Sequence, residues 1–116
     1  MELVIDIGNS SAKLAVFDKN EIVDIFYDSN RDISQLDNLC KKYKITKGII
    51  SSVVKISDTI NRQINSLPFK VLILSHSTSI PIINDYKSPQ TLGMDRIAAV
   101  IGAEEIKPER DLLIID

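Results

Sequence analysis

At 116 residues, with 44% hydrophobic and 26% charged side chains, the chain is long enough for one domain around one core, without disulfides or structural metals. A formal net charge of −2 leaves no basic footprint for nucleic acid, no apolar run approaches membrane-spanning length, and the start lacks the basic residues and apolar block of a secretory signal. Cys40 has neither a second cysteine nor metal-ligating neighbours, so no nucleic acid, no membrane and a cytoplasmic location are expected.

The chain opens on the apolar run Leu3-Val4-Ile5, passes through Asp6-Ile7-Gly8-Asn9-Ser10-Ser11-Ala12-Lys13, and continues as Leu14-Ala15-Val16-Phe17. Two strands joined by a tight turn fit this pattern, with Gly8 and Asn9 expected to supply positive φ. The turn Asp18-Lys19-Asn20 leads to a third strand over Ile22–Tyr27, and connections this short predict an antiparallel meander. Leu36, Leu39, Cys40 and Tyr43 then share one helical face, with Asp32 or Ser34 as the expected N-cap and Cys40 turned to the core. Gly48–Val54 reads as a strand rich in β-branched residues. Ile56, Ile60, Ile64 and Leu67 mark a second helix beginning near Ser57 or Asp58, and Phe69–Leu74 reads as a further strand. The order β-β-β-α-β-α-β predicts an α/β fold: a mixed sheet with helices packed on its faces.

Ser75–Pro89 breaks the periodicity, and an irregular stretch of this length is more often functional than decorative. His76 sits there among serines, but no elbow glycines accompany it and strand neighbours point to opposite faces. A solvated histidine at a strand end is expected. A helix follows, carrying Ile97, Ile101 and Glu104-Glu105, capped by Thr91 or Gly93, with Asp95 and Arg96 in its first turn. An acid there complements the helix dipole; an arginine does not, so Arg96 asks for an anionic or polar ligand or for a pairing with Asp95 and the neighbouring loops. Leu112–Asp116 reads as a strand ending in an acid.

Two stretches carry chemistry. In the first loop, backbone N–H groups at Gly8 can approach phosphate oxygens, hydroxyls can donate to them, and Lys13 adds positive charge. Asp6 fits such a site only through a metal ion, because a bare carboxylate repels phosphate. An ordinary hairpin with a polar tip is the competing reading. The second stretch is Tyr86 through Gly93-Met94-Asp95-Arg96.

Together, Asp6-Ile7-Gly8-Asn9-Ser10 with Lys13, and Tyr86 with Gly93-Met94-Asp95-Arg96, resemble the N-terminal half of the type III pantothenate kinases. That family is similar to Bvg accessory factor and belongs to the acetate and sugar kinase, Hsp70 and actin superfamily. The resemblance implies a ribonuclease-H-like lobe over residues 1–111 and, at 112–116, the first strand of a second lobe whose remainder lies outside this sequence. It implies that Asp6, Gly8, Asn9, Ser10 and Lys13 bind the phosphates of ATP. It further implies that Tyr86, Gly93 and Arg96 bind pantothenate, that Asp95 is the general base, and that Asp6 and Asp116 bind the metal. Ser10 stands where the family usually has threonine and keeps the hydroxyl. The glycine and threonine expected after Asp116 are absent. Implied partners and cofactors are ATP with Mg²⁺, pantothenate, a monovalent cation (K⁺ or NH₄⁺), and a second copy in a homodimer of the full-length protein. The implied reaction makes 4′-phosphopantothenate on the way to coenzyme A. A non-catalytic accessory protein on the same fold, or another small-molecule kinase of the superfamily, are the alternatives.

Overall fold

The computed structural model describes residues 1–115. Its centre is a five-stranded sheet in the order β3-β2-β1-β4-β5. Strands β1 (Glu2–Ile7), β2 (Ala12–Asp18) and β3 (Glu21–Asp28) form the antiparallel meander, and β4 (Lys47–Ser52) and β5 (Lys70–Ile73) join β1 in parallel. Helices α1 (Leu36–Lys42) and α2 (Asp58–Asn65) make the parallel crossovers, and α3 (Met94–Ile106) follows the irregular segment. The mixed sheet is the one the element order predicts, and it is consistent with the ribonuclease-H-like lobe that the resemblance implies.

Strand alternation divides the sheet into two faces. Leu3, Ile5 and Ile7 of β1 and Ala12, Leu14 and Val16 of β2 point one way, where they pack with Leu36 and Leu39 of α1 and Ile60 and Ile64 of α2 in the main core. Cys40 packs against that core, and burial pushes its thiol pKa up, with Asp37 adding to the effect. Gly48 lets the parallel strands close up here. A β-carbon at that position would lie 3.1 Å from the Leu3 carbonyl oxygen.

The other face carries Val4 and Asp6, and α3 lies against it at β4, with Met94 and Ile97 forming a small second core around Leu74. The remainder of this face is uncovered. One row of residues in register, Ile25–Ala15–Val4–Ile49–Leu72, crosses all five strands. Its outer members Ile25 and Leu72 are 46% and 45% exposed.

Local expectations met several corrections. In the turn after β2, Lys19 takes positive φ (56°). Neither Gly8 nor Asn9 has positive φ; residues 8–11 bridge Ile7 and Ala12 as a wider loop that does not need it. Neither Asp32 nor Ser34 caps α1. Its N-cap is Gln35, and Asp28 at the end of β3 accepts from the Gln35 N–H at 2.8 Å and from the Ser34 hydroxyl at 3.1 Å. Ser57 does cap α2, accepting from the Ile60 N–H at 3.1 Å. Residues 111–115 carry no regular structure. The strand expected at 112–116 belongs to a second lobe, and among the described residues the five-stranded sheet includes none of 112–115. Asp116 lies outside the described residues.

Candidate functional site

At the C-terminal end of β1, the apolar row gives way to a polar one. Tyr27, Lys13, Asp6 and Ser51 follow one another in register across β3, β2, β1 and β4, all on the α3 side. In-register neighbours of this kind stand close enough to interact. The sequence puts the acid and the lysine in one motif; the hairpin makes them direct cross-strand partners.

Helix α3 supplies the opposite wall. Gly93 is its N-cap, with φ −60° and ψ 143°, and Asp95 stands in the first turn. Asp95 and Ala98 line a cleft of about 240 Å³ together with Val4, Ile5, Asp6, Ile49, Ser51 and Leu74. Two of the three acids singled out from the sequence, Asp6 and Asp95, thus share one cleft. Oδ1 of Asp95 accepts from the Arg96 N–H at 2.8 Å, which fixes the carboxylate against the helix start. A β-carbon at Gly93 would fall 2.6 Å from that oxygen. Gly93 therefore serves by having no side chain, without needing an unusual backbone angle.

The Gly8–Ser11 loop stands beyond the end of β1. Its Gly8 N–H donates to the Ser11 carbonyl at 2.8 Å. A β-carbon on Gly8 would approach that same oxygen to 3.3 Å. Asn30, just after β3, donates its side-chain amide to the carbonyls of Gly8 (3.1 Å) and Asn9 (2.9 Å). Asn9, Ser10 and Lys13 are exposed. Asn30 was not singled out from the sequence, since one asparagine in a polar loop carries no signal of what it ties.

Arg96 and Tyr86 stand apart from the Asp6–Asp95 cleft. Arg96 is exposed and lines a different hollow of about 380 Å³ with Ala99, Val100 and Ile114. Tyr86 is 52% exposed, its N–H bonded to Asn84 Oδ1. The solvated histidine expected at a strand end is exposed but engaged: His76 Nε2 lies 3.0 Å from the Leu92 carbonyl oxygen. That contact ties the turn after β5 to the residues leading into α3.

No group of three or more His, Cys, Asp or Glu side chains able to hold a metal occurs among the described residues. Asp6 is a hard oxygen donor on that cleft. Mg²⁺ rarely takes an all-protein cage, so one carboxylate completed by phosphate oxygens and water would suit it. No helix among the described residues is long and apolar enough to cross a membrane.

Known proteins resemble this chain over nearly its whole length. A family model described as type III pantothenate kinase matches residues 2–116. A type III pantothenate kinase of Phocaeicola vulgatus is 53% identical over 116 residues, covering 100% of this chain and 48% of the relative. One from Bacteroides fragilis is 45% identical over 116 residues, with the same two coverages. One from Christiangramia forsetii is 36% identical over 118 residues, again covering 100% and 48%. The chain spans about half the length of the curated relatives it matches.

Proposed function

The chain belongs to the type III pantothenate kinase family, and from that premise we propose that the full-length protein transfers the γ-phosphoryl group of ATP to the primary hydroxyl of pantothenate. The observation that carries the reading is the shared cleft of Asp6 and Asp95. One acid comes from the phosphate-binding loop and the other from the acceptor side, so donor and acceptor can meet between them.

In this reading a new bond forms between the pantothenate hydroxyl oxygen and the γ-phosphorus while the bond to the ADP oxygen breaks. The transition state is loose, so positioning and charge neutralisation do most of the work. Asp95 accepts a hydrogen bond from the attacking hydroxyl, orients it, and takes its proton as the bond forms. Lys13, in register with Asp6, adds positive charge beside the transferring phosphates. The Gly8 N–H is already engaged with Ser11, so the cradle draws on Asn9 and Ser10 for its free donors. Asp6 is the chain's ligand for Mg²⁺, which supplies charge neutralisation on the phosphate oxygens when bound; Asp116 is a second candidate ligand. Arg96, Gly93 and Tyr86 belong to the pantothenate side. Because Arg96 lines a separate hollow, it holds the far, polar part of the substrate rather than the reacting hydroxyl.

On the same reading the enzyme works in the cytoplasm as a homodimer, with K⁺ or NH₄⁺ as a further cation. The uncovered apolar row at Ile25 and Leu72 is surface that a second copy or the rest of the chain would cover. The decisive experiment is an assay of the full-length protein with Mg²⁺-ATP and pantothenate, following phosphopantothenate and ADP together. Formation of both in equal amounts is expected. ADP release that is independent of pantothenate would overturn the reading.

A further inference from the structure

The Ser51 hydroxyl is buried and makes no hydrogen bond. Such a group is a burden on folding that native proteins seldom keep without a reason. The end of β4 is not short of partners in general, because the next hydroxyl, on Ser52, bonds both the carbonyl and the N–H of Val54. Ser51 differs in where it stands. It is in register with Asp6 on the neighbouring parallel strand, and it lines the cleft with Asp6 and Asp95.

We propose that Ser51 is an ATP-binding residue whose hydroxyl donates a hydrogen bond to a phosphate oxygen of bound Mg²⁺-ATP. Ionised carboxylates only accept hydrogen bonds, and so do phosphate oxygens. A cleft that holds phosphate between two acids therefore needs donors, and the unpartnered Oγ–H is one that adds no charge. Ser51 comes from the sheet wall beside Asp6 and Lys13, whereas the acceptor side of the cleft comes from α3. That placement assigns it to the nucleotide rather than to pantothenate. The inference rests on the kinase reading above for the identity of the phosphate ligand.

The test compares full-length wild-type protein with Ser51→Ala and Ser51→Thr by calorimetric titration with Mg²⁺-ATP and, separately, with pantothenate. Thermal melts of the ligand-free proteins accompany it. Ser51→Ala should weaken Mg²⁺-ATP binding by about tenfold, the weight of one neutral hydrogen bond near its upper range. Its melting temperature should stay level or rise, because an unsatisfied buried hydroxyl has gone. Ser51→Thr keeps the hydroxyl and suits a strand, so it should restore nucleotide binding. Pantothenate binding should not change in either variant. Wild-type affinity for Mg²⁺-ATP in Ser51→Ala would overturn the proposal. So would a lowered melting temperature with equal loss of both ligands, which would mark a packing role. Protein that binds Mg²⁺-ATP in a Ser51-dependent way yet forms no phosphopantothenate would sink the kinase reading and leave this one standing.

Discussion

A β-carbon at Gly93 would lie 2.6 Å from Oδ1 of Asp95, closer than any real contact of that kind, so the carboxylate holds its place only because Gly93 has no side chain. The backbone angles at Gly93 are ordinary for alanine. Gly93→Ala should therefore fold, with a stability change within about 1 kcal/mol, while displacing the Asp95 side chain. In the full-length enzyme a displacement of that size should lower kcat on the order of 10²-fold. If the loss acts through Asp95, adding Gly93→Ala to Asp95→Asn should lower kcat little further. Additive losses would place Gly93 in direct contact with substrate instead.

Asp6→Asn keeps the shape of the side chain at the end of β1 and removes its charge. Leu3, Ile5 and Ile7, which anchor that strand, face the opposite side of the sheet, so the fold should persist. Turnover should fall by roughly 10²-fold or more, as when a preorganised charge is lost. Wild-type kcat for Asp6→Asn at saturating Mg²⁺-ATP would show that Asp6 has no part in the chemistry.

The strand pattern and both crossover helices were legible because alternation and helical period report burial directly, as Leu3, Ile5 and Ile7 or Ile60 and Ile64 show. Asp6, Asp95 and Arg96 stand out in the sequence as motifs. What the sequence could not show was register. Ser51 joins the Asp6–Asp95 cleft only once β4 is known to pair in parallel with β1 so that it stands beside Asp6, and strand pairing is a long-range property. The cap of α1 failed for a related reason: Asp28 reaches it from the end of another element, whereas capping rules look only at the adjoining residues. Asp95 and Arg96, neighbours in sequence, line different hollows because successive helical residues point in different directions.

That divergence predicts different kinetic defects. Arg96→Ala should raise KM for pantothenate with little effect on KM for ATP. Asp95→Asn should lower kcat with a smaller change in either KM. Steady-state kinetics of the two variants with each substrate varied in turn checks this. Changes confined to the ATP parameters in both variants would put the two residues on the wrong substrate.

Away from the site, Asp24 on β3 joins α1 to the edge of the sheet. It accepts from the Tyr43 hydroxyl at 2.6 Å and from Lys42 Nζ at 3.1 Å. The tyrosine hydrogen bond first, and then Lys42, hold the Asp24 pKa below its ordinary 3.8. A carboxyl whose pKa is depressed by folding stabilises the fold above its unfolded value and loses that contribution as pH falls through its folded value. The difference in melting temperature between wild type and Asp24→Asn should therefore be steady near neutral pH and shrink below the ordinary carboxylate range. Lys42 works in the other direction: its pKa is raised, chiefly by Asp24, so its share is complete below its unfolded value and fades at strongly alkaline pH. Thermal melts of both proteins across the acid range give the measurement, and a difference independent of pH would leave Asp24 with a packing role only.

The 116 residues taken alone should fold but not catalyse. The core between the sheet and α1 and α2 is closed by this chain's own side chains, so folding needs nothing further. The site is another matter. Asn9, Ser10, Lys13 and Arg96 are all exposed, and charges held in open water are screened and cannot exclude solvent from a transferring phosphate. Relatives matched by this chain have about as much sequence again, and in a two-lobe kinase that part would supply the adenosine contacts and the facing wall of the cleft. The isolated chain should bind Mg²⁺-ATP no more tightly than about millimolar, an affinity of roughly −4 kcal/mol, and should form no phosphopantothenate. It should also self-associate through the uncovered row that ends in Ile25 and Leu72. Calorimetric titration, a product assay and light scattering on the same preparation test the three statements together. Micromolar binding or clear turnover would mean that these residues complete the site by themselves, and the two-lobe account of the enzyme would have to be abandoned.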